Sequence, residues 1–119
     1  MEQKVRKFFD LEERTLKFAG AVRAFVKMLP RSVTNIEDGK QLVRSSGSIG
    51  ANYIEANESL SKKDFIMRIK IARKEAKESV YWLRLVDVSD SLETRRATLE
   101  MEAVELTKIL SAILQKSAR

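Results

Sequence analysis

The sequence predicts an all-α protein, an antiparallel up-down-up-down four-helix bundle occupying residues 1–119 as a single domain. Three observations predict this. Apolar residues recur every three or four positions in four separate segments, the spacing that gathers them on one face of a helix. The chain has one proline and four glycines, too few for a turn-rich β fold. The breaks between segments are short, which favours antiparallel packing of consecutive helices. A chain of 119 residues can bury a core without disulfide or metal staples. The expected helices cover about residues 11–29, 35–58, 62–88 and 92–115.

The first helix is expected to open with Asp10 as N-cap and Glu13 three residues later, the capping-box spacing. Leu11, Phe18, Ala19, Val22, Phe25, Val26 and Leu29 form its apolar stripe. Pro30 ends it, because the residue before proline is pushed out of helical geometry. Val5, Phe8 and Phe9 are expected to dock the lead-in against the bundle.

For the second helix, Thr34 or Asn35 is the expected cap, with Glu37 and Asp38 in the first turn. Its stripe is Leu42, Val43, Ser46, Ile49, Gly50, Tyr53 and Ala56, unusually rich in small residues. An interior glycine costs roughly 1 kcal/mol against alanine. Close approach of a neighbouring helix is the simplest compensation.

The third helix starts after Ser61, with Asp64 completing a second capping pattern. Ser89-Asp90-Ser91 is the next break. The fourth helix is lined by Leu99, Leu106, Ile109, Leu110 and Ile113, and its polar side mixes glutamates with arginines and Lys108.

Charge is concentrated on the third helix. The whole chain has 23 Lys and Arg against 17 Asp and Glu, a formal charge of +6. Residues 62–77 hold seven cations against Asp64 and Glu75, which is +5 of that total. At 100° per residue, Lys62, Lys63, Lys70, Arg73, Lys74 and Lys77 fall within an arc of about 120°. Several of their i+4 partners are like-charged, Lys70 with Lys74 and Arg73 with Lys77. Such pairs repel by a few tenths of a kcal/mol. A solvated lysine-rich face is the plain explanation, but a helix shaped only by stability would carry glutamates there. The arc is therefore expected to contact phosphates of RNA or DNA. Tyr81 alone lies at its edge, so stacking readout of single strands is less favoured than binding of structured nucleic acid. An assembly adaptor docking an acidic protein is the alternative.

A second apolar stripe on the same helix, Met67, Ile71, Trp82 and Leu85, lies roughly 140° from the core stripe. That is wider than one core face spans. These residues are expected to form a subunit interface in a homo-oligomer, and Arg68 to pair with Glu75 across it.

Several chemistries are missing from the chain. With no histidine and no cysteine, Ser-His-Asp triads, Cys-His pairs and zinc sites built on those ligands are excluded. Glu55/Glu58 and Glu75/Glu78 have the i,i+3 spacing of di-iron bundles but lack the accompanying histidines. Ser46-Gly47-Ser48-Ile49-Gly50 lacks the Gly-Lys-Ser/Thr ending of a phosphate loop. No enzyme activity, catalytic residue, metal or cofactor is expected. No run reaches the ~18 apolar residues of a membrane span, and Met1-Glu2-Gln3-Lys4 does not begin a signal peptide. Cytoplasmic location is expected, with no membrane partner.

The stretch Gln41-Leu42-Val43-Arg44-Ser45-Ser46-Gly47-Ser48-Ile49-Gly50-Ala51-Asn52-Tyr53-Ile54-Glu55-Ala56 is a further motif. It is followed by Ser61-Lys62-Lys63-Asp64-Phe65 and by Ile71-Ala72-Arg73-Lys74-Glu75-Ala76-Lys77-Glu78-Ser79. Together they resemble the bacterial four-helix-bundle proteins encoded in intervening sequences of large-subunit ribosomal RNA genes. The accessory variability determinant of diversity-generating retroelements shares that fold. The likeness runs from about Phe8 to Leu85. It implies a non-enzymatic bundle that assembles as a homopentamer. For the retroelement relative it implies a basic surface that binds nucleic acid and a reverse transcriptase. Many family members have Ile-Ala-Glu-Gly where this chain has Tyr53-Ile54-Glu55-Ala56-Asn57, which puts the end of the second helix in question. Arg44, Ser48, Asn52 and Glu55 share one side of that helix and are expected to be structural, Arg44 by pairing with a carboxylate.

Overall fold

Pro30, the Ser59–Ser61 stretch and the Ser89–Ser91 stretch divide the chain into four long helices. A computed structural model describes residues 2–118, with side chains described for residues 11–118. The helices are α1 (Glu2–Lys27), α2 (Val33–Asn57), α3 (Lys62–Leu85) and α4 (Glu93–Ser117), with a single 3₁₀ turn at Asp90–Leu92 leading into α4. No strand occurs among the described residues. Consecutive helices pack antiparallel, and α1 closes the bundle against α4 through a sparser seam than the other three. Arg14 spans that seam, donating from Nε and Nη2 to the two carboxylate oxygens of Glu102 at 2.7 Å each.

Two expected helix starts are corrected. Two ends also fall earlier than expected, α1 at Lys27 rather than Leu29 and α3 at Leu85 rather than Val88, where Val86 turns to extended backbone. Helix α1 begins at Glu2, so Asp10 lies inside it and is not its N-cap. No glycine or proline precedes Asp10 to stop the helix there. The expected docking of Val5, Phe8 and Phe9 lies outside the described side chains. The cap of α2 is Ser32, whose hydroxyl accepts from the Asn35 amide at 3.1 Å, rather than Thr34 or Asn35. Glu37 and Asp38 therefore sit one turn further in than expected. By contrast, Ser61 caps α3 as read, accepting from the Asp64 amide at 3.1 Å. Helix α2 runs on through Ala56, which is 1% exposed, to Asn57. Ala56, the position that the resemblance put in question, is thus a packed helical residue.

The core is the sum of the four stripes. Phe18, Val22 and Phe25 meet Leu42, Ile49 and Tyr53, then Ile69, Ala72, Ala76 and Leu83, then Leu99, Ala103, Leu106 and Leu110. Val86 and Leu92 close the end beneath the α3–α4 connection. Burying each large side chain contributes about 1.5–3 kcal/mol.

The small residues of α2 do what their composition suggested. A Cβ at Gly50 would lie 2.7 Å from Thr15 Oγ1 and 3.1 Å from Thr15 Cβ. At Gly39 it would lie 3.2 Å from Val26 Cγ1. Both glycines let α1 approach α2 closely. On the other flank, the buried hydroxyls of Ser45 and Ser79 hydrogen-bond at 3.0 Å between α2 and α3.

Candidate nucleic-acid interface

The Ser61 cap fixes where α3 begins and so sets the angular position of every cation after it. Lys62 and Lys63 fall in its first turn, where the helix dipole disfavours positive charge. Lys62, Lys63, Lys70, Lys74 and Lys77 are exposed, and Arg73 is half-buried. Lys74 lies 4.0 Å from a Glu75 oxygen. The other five make no ion pair among the described residues. From Lys62 to Lys77 the row extends about 22 Å, at 1.5 Å per residue.

Glu75 explains why the row stays cationic. It lies near the end of the run, between Lys74 and Lys77, yet its side chain turns away from the arc and is buried between α2 and α3, with the residue 4% exposed. There its carboxylate accepts from Arg44 Nη1 at 3.4 Å. Burial, followed by the neighbouring Glu78, holds the Glu75 carboxyl above the ordinary glutamate range, while Arg44 pulls it down. Arg84 continues the arc toward the end of α3 but is bonded to Glu100 of α4 at 2.5 Å, so the open positive surface ends before it. At that end Tyr81, 59% exposed, meets Trp82 edge-on with ring centroids 5.0 Å apart.

The second stripe is not uniformly open. Met67 and Leu85 are exposed at 46% and 48%. Ile71 and Trp82 are half-buried, and Trp82 packs against the core. Within the chain, Arg68 does not reach Glu75. It donates to Asn52 Oδ1 at 3.3 Å.

The α2 motif residues bind the two central helices together. Arg44 bridges Glu75 and Glu78 of α3, at 3.4 Å to each. Asn52 donates to the Ser48 carbonyl at 2.8 Å while accepting from Arg68. Ser48 donates to the Arg44 carbonyl at 2.8 Å. The Glu55 side chain is exposed and makes no hydrogen bond or ion pair among the described residues.

Sequence reading missed the role of Asn35. It is 4% exposed and donates to the carbonyls of Pro30 and Asp87 at 2.8 and 2.9 Å, tying together the two connections at one end of the bundle. The only local signal was its position three residues after Ser32.

A family model for the 23S rRNA-intervening sequence protein matches residues 9–112. This chain belongs to that family. Among solved structures it is similar to the crystal structure of a protein of unknown function from the S23 ribosomal protein family of Bacteroides thetaiotaomicron VPI-5482. The two share 32% identity with a TM-score of 0.80, covering 92% of this chain and 98% of that one. No curated protein matches the chain. Neither the family nor the structural relative carries a described catalytic activity. Among the described residues, no group of three or more acids is arranged to hold a metal ion, and no helix is long and apolar enough to cross a membrane.

Proposed function

We propose that this family member is a non-enzymatic, self-associating bundle that binds structured nucleic acid through the solvent-facing cations of α3. The observation that supports this best is the inward turn of Glu75. It leaves Lys62, Lys63, Lys70, Arg73, Lys74 and Lys77 as a row of positive charge with one weak internal partner, the 4.0 Å contact of Lys74. A protein stabilised by its surface charges would pair such a row, as α4 pairs Glu93, Glu100 and Glu102. Phosphates of RNA or DNA are the natural counter-charges for a stripe of this length. Self-association uses the flank of α3 that carries Met67, Ile71, Trp82 and Leu85. The pentamer is the assembly implied by the family resemblance, and the cytoplasm is where its partners would be met.

The test is fluorescence anisotropy with labelled structured RNA and duplex DNA over a salt series. Wild type is compared with Lys70→Glu/Arg73→Glu/Lys77→Glu of matched native mass. Salt-sensitive binding that disappears in the variant supports the reading. Absence of binding at low salt overturns it and leaves an acidic protein as the partner of the arc.

A further inference from the structure

We propose that the groove between the end of α1 and the start of α2 is a docking site for an acidic amphipathic helix of another protein. The site is separate from the cationic arc of α3 and does not depend on what that arc binds.

The groove, about 610 Å³, is lined by both helices and by the turn that joins them. One wall is a single face of α2, where Ile36, Gly39, Lys40 and Val43 recur at i, i+3, i+4 and i+7. They span about 10 Å, two helical turns. That is the length over which a docked helix sets its i, i+3 or i+4 and i+7 anchors. Gly39 adds no side chain to the middle of this wall, and a Cβ there would lie 3.2 Å from Val26 Cγ1. The wall is therefore indented between Ile36 and Val43.

The floor is apolar, with Val26 and Leu29 supplied by α1. Ile36 is 42% exposed, and Val33, one turn before it, is 79% exposed. Both have apolar surface left to bury. The walls are also held in place before any partner arrives. Asn35 bonds the Pro30 carbonyl of the turn and the Asp87 carbonyl of the α3–α4 connection, so little ordering is left for binding to impose.

Charge selects the occupant. Lys27, Arg31 and Lys40 line the groove, and no acid does. Each element that forms the groove thus contributes a cation to its border. Lys27 and Arg31 have no ion pair among the described residues, and Lys40 has an exposed contact of 3.8 Å to Glu37, a type of pair worth little. Duplex nucleic acid would meet the cations but keep its bases stacked, leaving the apolar floor uncovered. A neutral helix would cover the floor but desolvate the cations without compensation. A second copy is a poor match on the α4 side, because Glu93, Glu100, Glu102 and Glu105 are already paired within the chain. A helix whose apolar edge is flanked by aspartates or glutamates meets floor and border together.

The test is selection from a displayed library of random peptides, about four helical turns long, against the purified protein. Enriched peptides are expected to carry apolar residues at i, i+3 or i+4 and i+7, flanked by acids. Anisotropy of a labelled synthetic copy should show affinity falling by about tenfold or more in Ile36→Ser and in Lys27→Glu/Lys40→Glu. The arc variant Lys70→Glu/Arg73→Glu/Lys77→Glu should bind as wild type does. Exchanging the acids of the peptide for lysine should restore binding to the charge-reversed groove. Ile36, Lys27 and Lys40 are exposed, and each variant is first matched to wild type in helicity and unfolding midpoint. Failure to enrich any peptide overturns the proposal, as does enrichment of basic sequences. Binding that survives the groove substitutions and disappears in the arc variant moves the acidic partner to α3 and also overturns it. Enriched peptides that reproduce a segment of this chain would make the occupant a second copy and overturn the choice of partner.

Discussion

Asn35 and Asp87, far apart in sequence, exchange two hydrogen bonds at 2.9 Å: Asn35 Nδ2 donates to the Asp87 carbonyl, and the Asp87 amide donates to Asn35 Oδ1. The side chain thus pairs with a backbone as another strand would, in a loop where no strand exists. A third bond, to the Pro30 carbonyl at 2.8 Å, completes the donor capacity of its amide nitrogen. Truncation would strand two carbonyls and an amide at a nearly closed site. Asn35→Ala is expected to destabilise the protein by about 2–4 kcal/mol, at roughly 1 kcal/mol or more for each lost partner. Urea unfolding should show a lower midpoint with an unchanged slope. A midpoint within error of wild type would mean that the two connections are held by the core alone.

The glycines separate packing from propensity. A methyl at Gly50 would collide with Thr15, whereas one at Gly20 meets nothing within 4 Å. Gly20→Ala is expected to stabilise the helix by up to about 1 kcal/mol through its higher propensity. Gly50→Ala should instead lose about 1–3 kcal/mol through overpacking between α1 and α2. Thermal unfolding of the two variants side by side checks the sign of each. A stabilising Gly50→Ala would show that the α1–α2 seam opens easily.

These two cases mark how far the sequence could be read. The close approach at Gly50 was legible because an interior glycine carries a local cost that asks for a local reason. The Ser61 cap was legible because capping acts over three residues. The Asp10 pattern looked the same, yet failed because nothing before it breaks the helix. The Asn35 clamp was hidden, since its partner is distant in sequence and a polar residue near a helix start is most simply read as a cap. The helix wheel offers Glu75 as a partner of Arg68 across a subunit contact; its burial against Arg44 becomes visible only once α2 is placed beside α3.

Glu75 gives the protein a pH dependence of unusual sign. Its folded carboxyl is held above the ordinary value, near 4.5, first by burial and then by Glu78. The unfolded chain gives up this proton at lower pH than the folded protein does. Between 4.5 and the raised value the native state therefore binds more protons, and stability from this group falls as pH rises through that window. Below the window the contribution is fully present. Glu75→Gln should remove the decline, so that the variant gains on wild type as pH rises from 4 toward neutrality (roughly the interval over which such carboxyls titrate). Arg44 pulls the carboxyl down, so Arg44→Met should extend the decline to higher pH. Urea midpoints of the three proteins across that range decide it. A constant difference between wild type and Glu75→Gln would mean that Arg44 fully offsets burial.

The arc on α3 makes a quantitative prediction about salt. Each phosphate neutralised on duplex DNA releases about 0.9 of a condensed counterion, so the logarithm of the binding constant falls with the logarithm of salt at that slope per contact. Six contacts from Lys62, Lys63, Lys70, Arg73, Lys74 and Lys77 set a ceiling of about −5. Replacing Lys70, Arg73 and Lys77 with glutamine, rather than glutamate, removes three contacts without adding repulsion. The slope should shrink by about 3 and binding at low salt should weaken for every sequence tested, because phosphate contacts carry no base information. The α2 motif gives the control. Asn52→Ala removes the hydrogen bond from Arg68 and lies away from the arc, so it should lower the unfolding midpoint by an amount worth about 1 kcal/mol while leaving the salt slope unchanged. If Asn52→Ala instead abolished binding with native mass and melting temperature intact, the binding surface would have to be moved from the arc to the α2 motif. A triple glutamine variant that kept the wild-type slope would mean that Lys70, Arg73 and Lys77 do not contact phosphates.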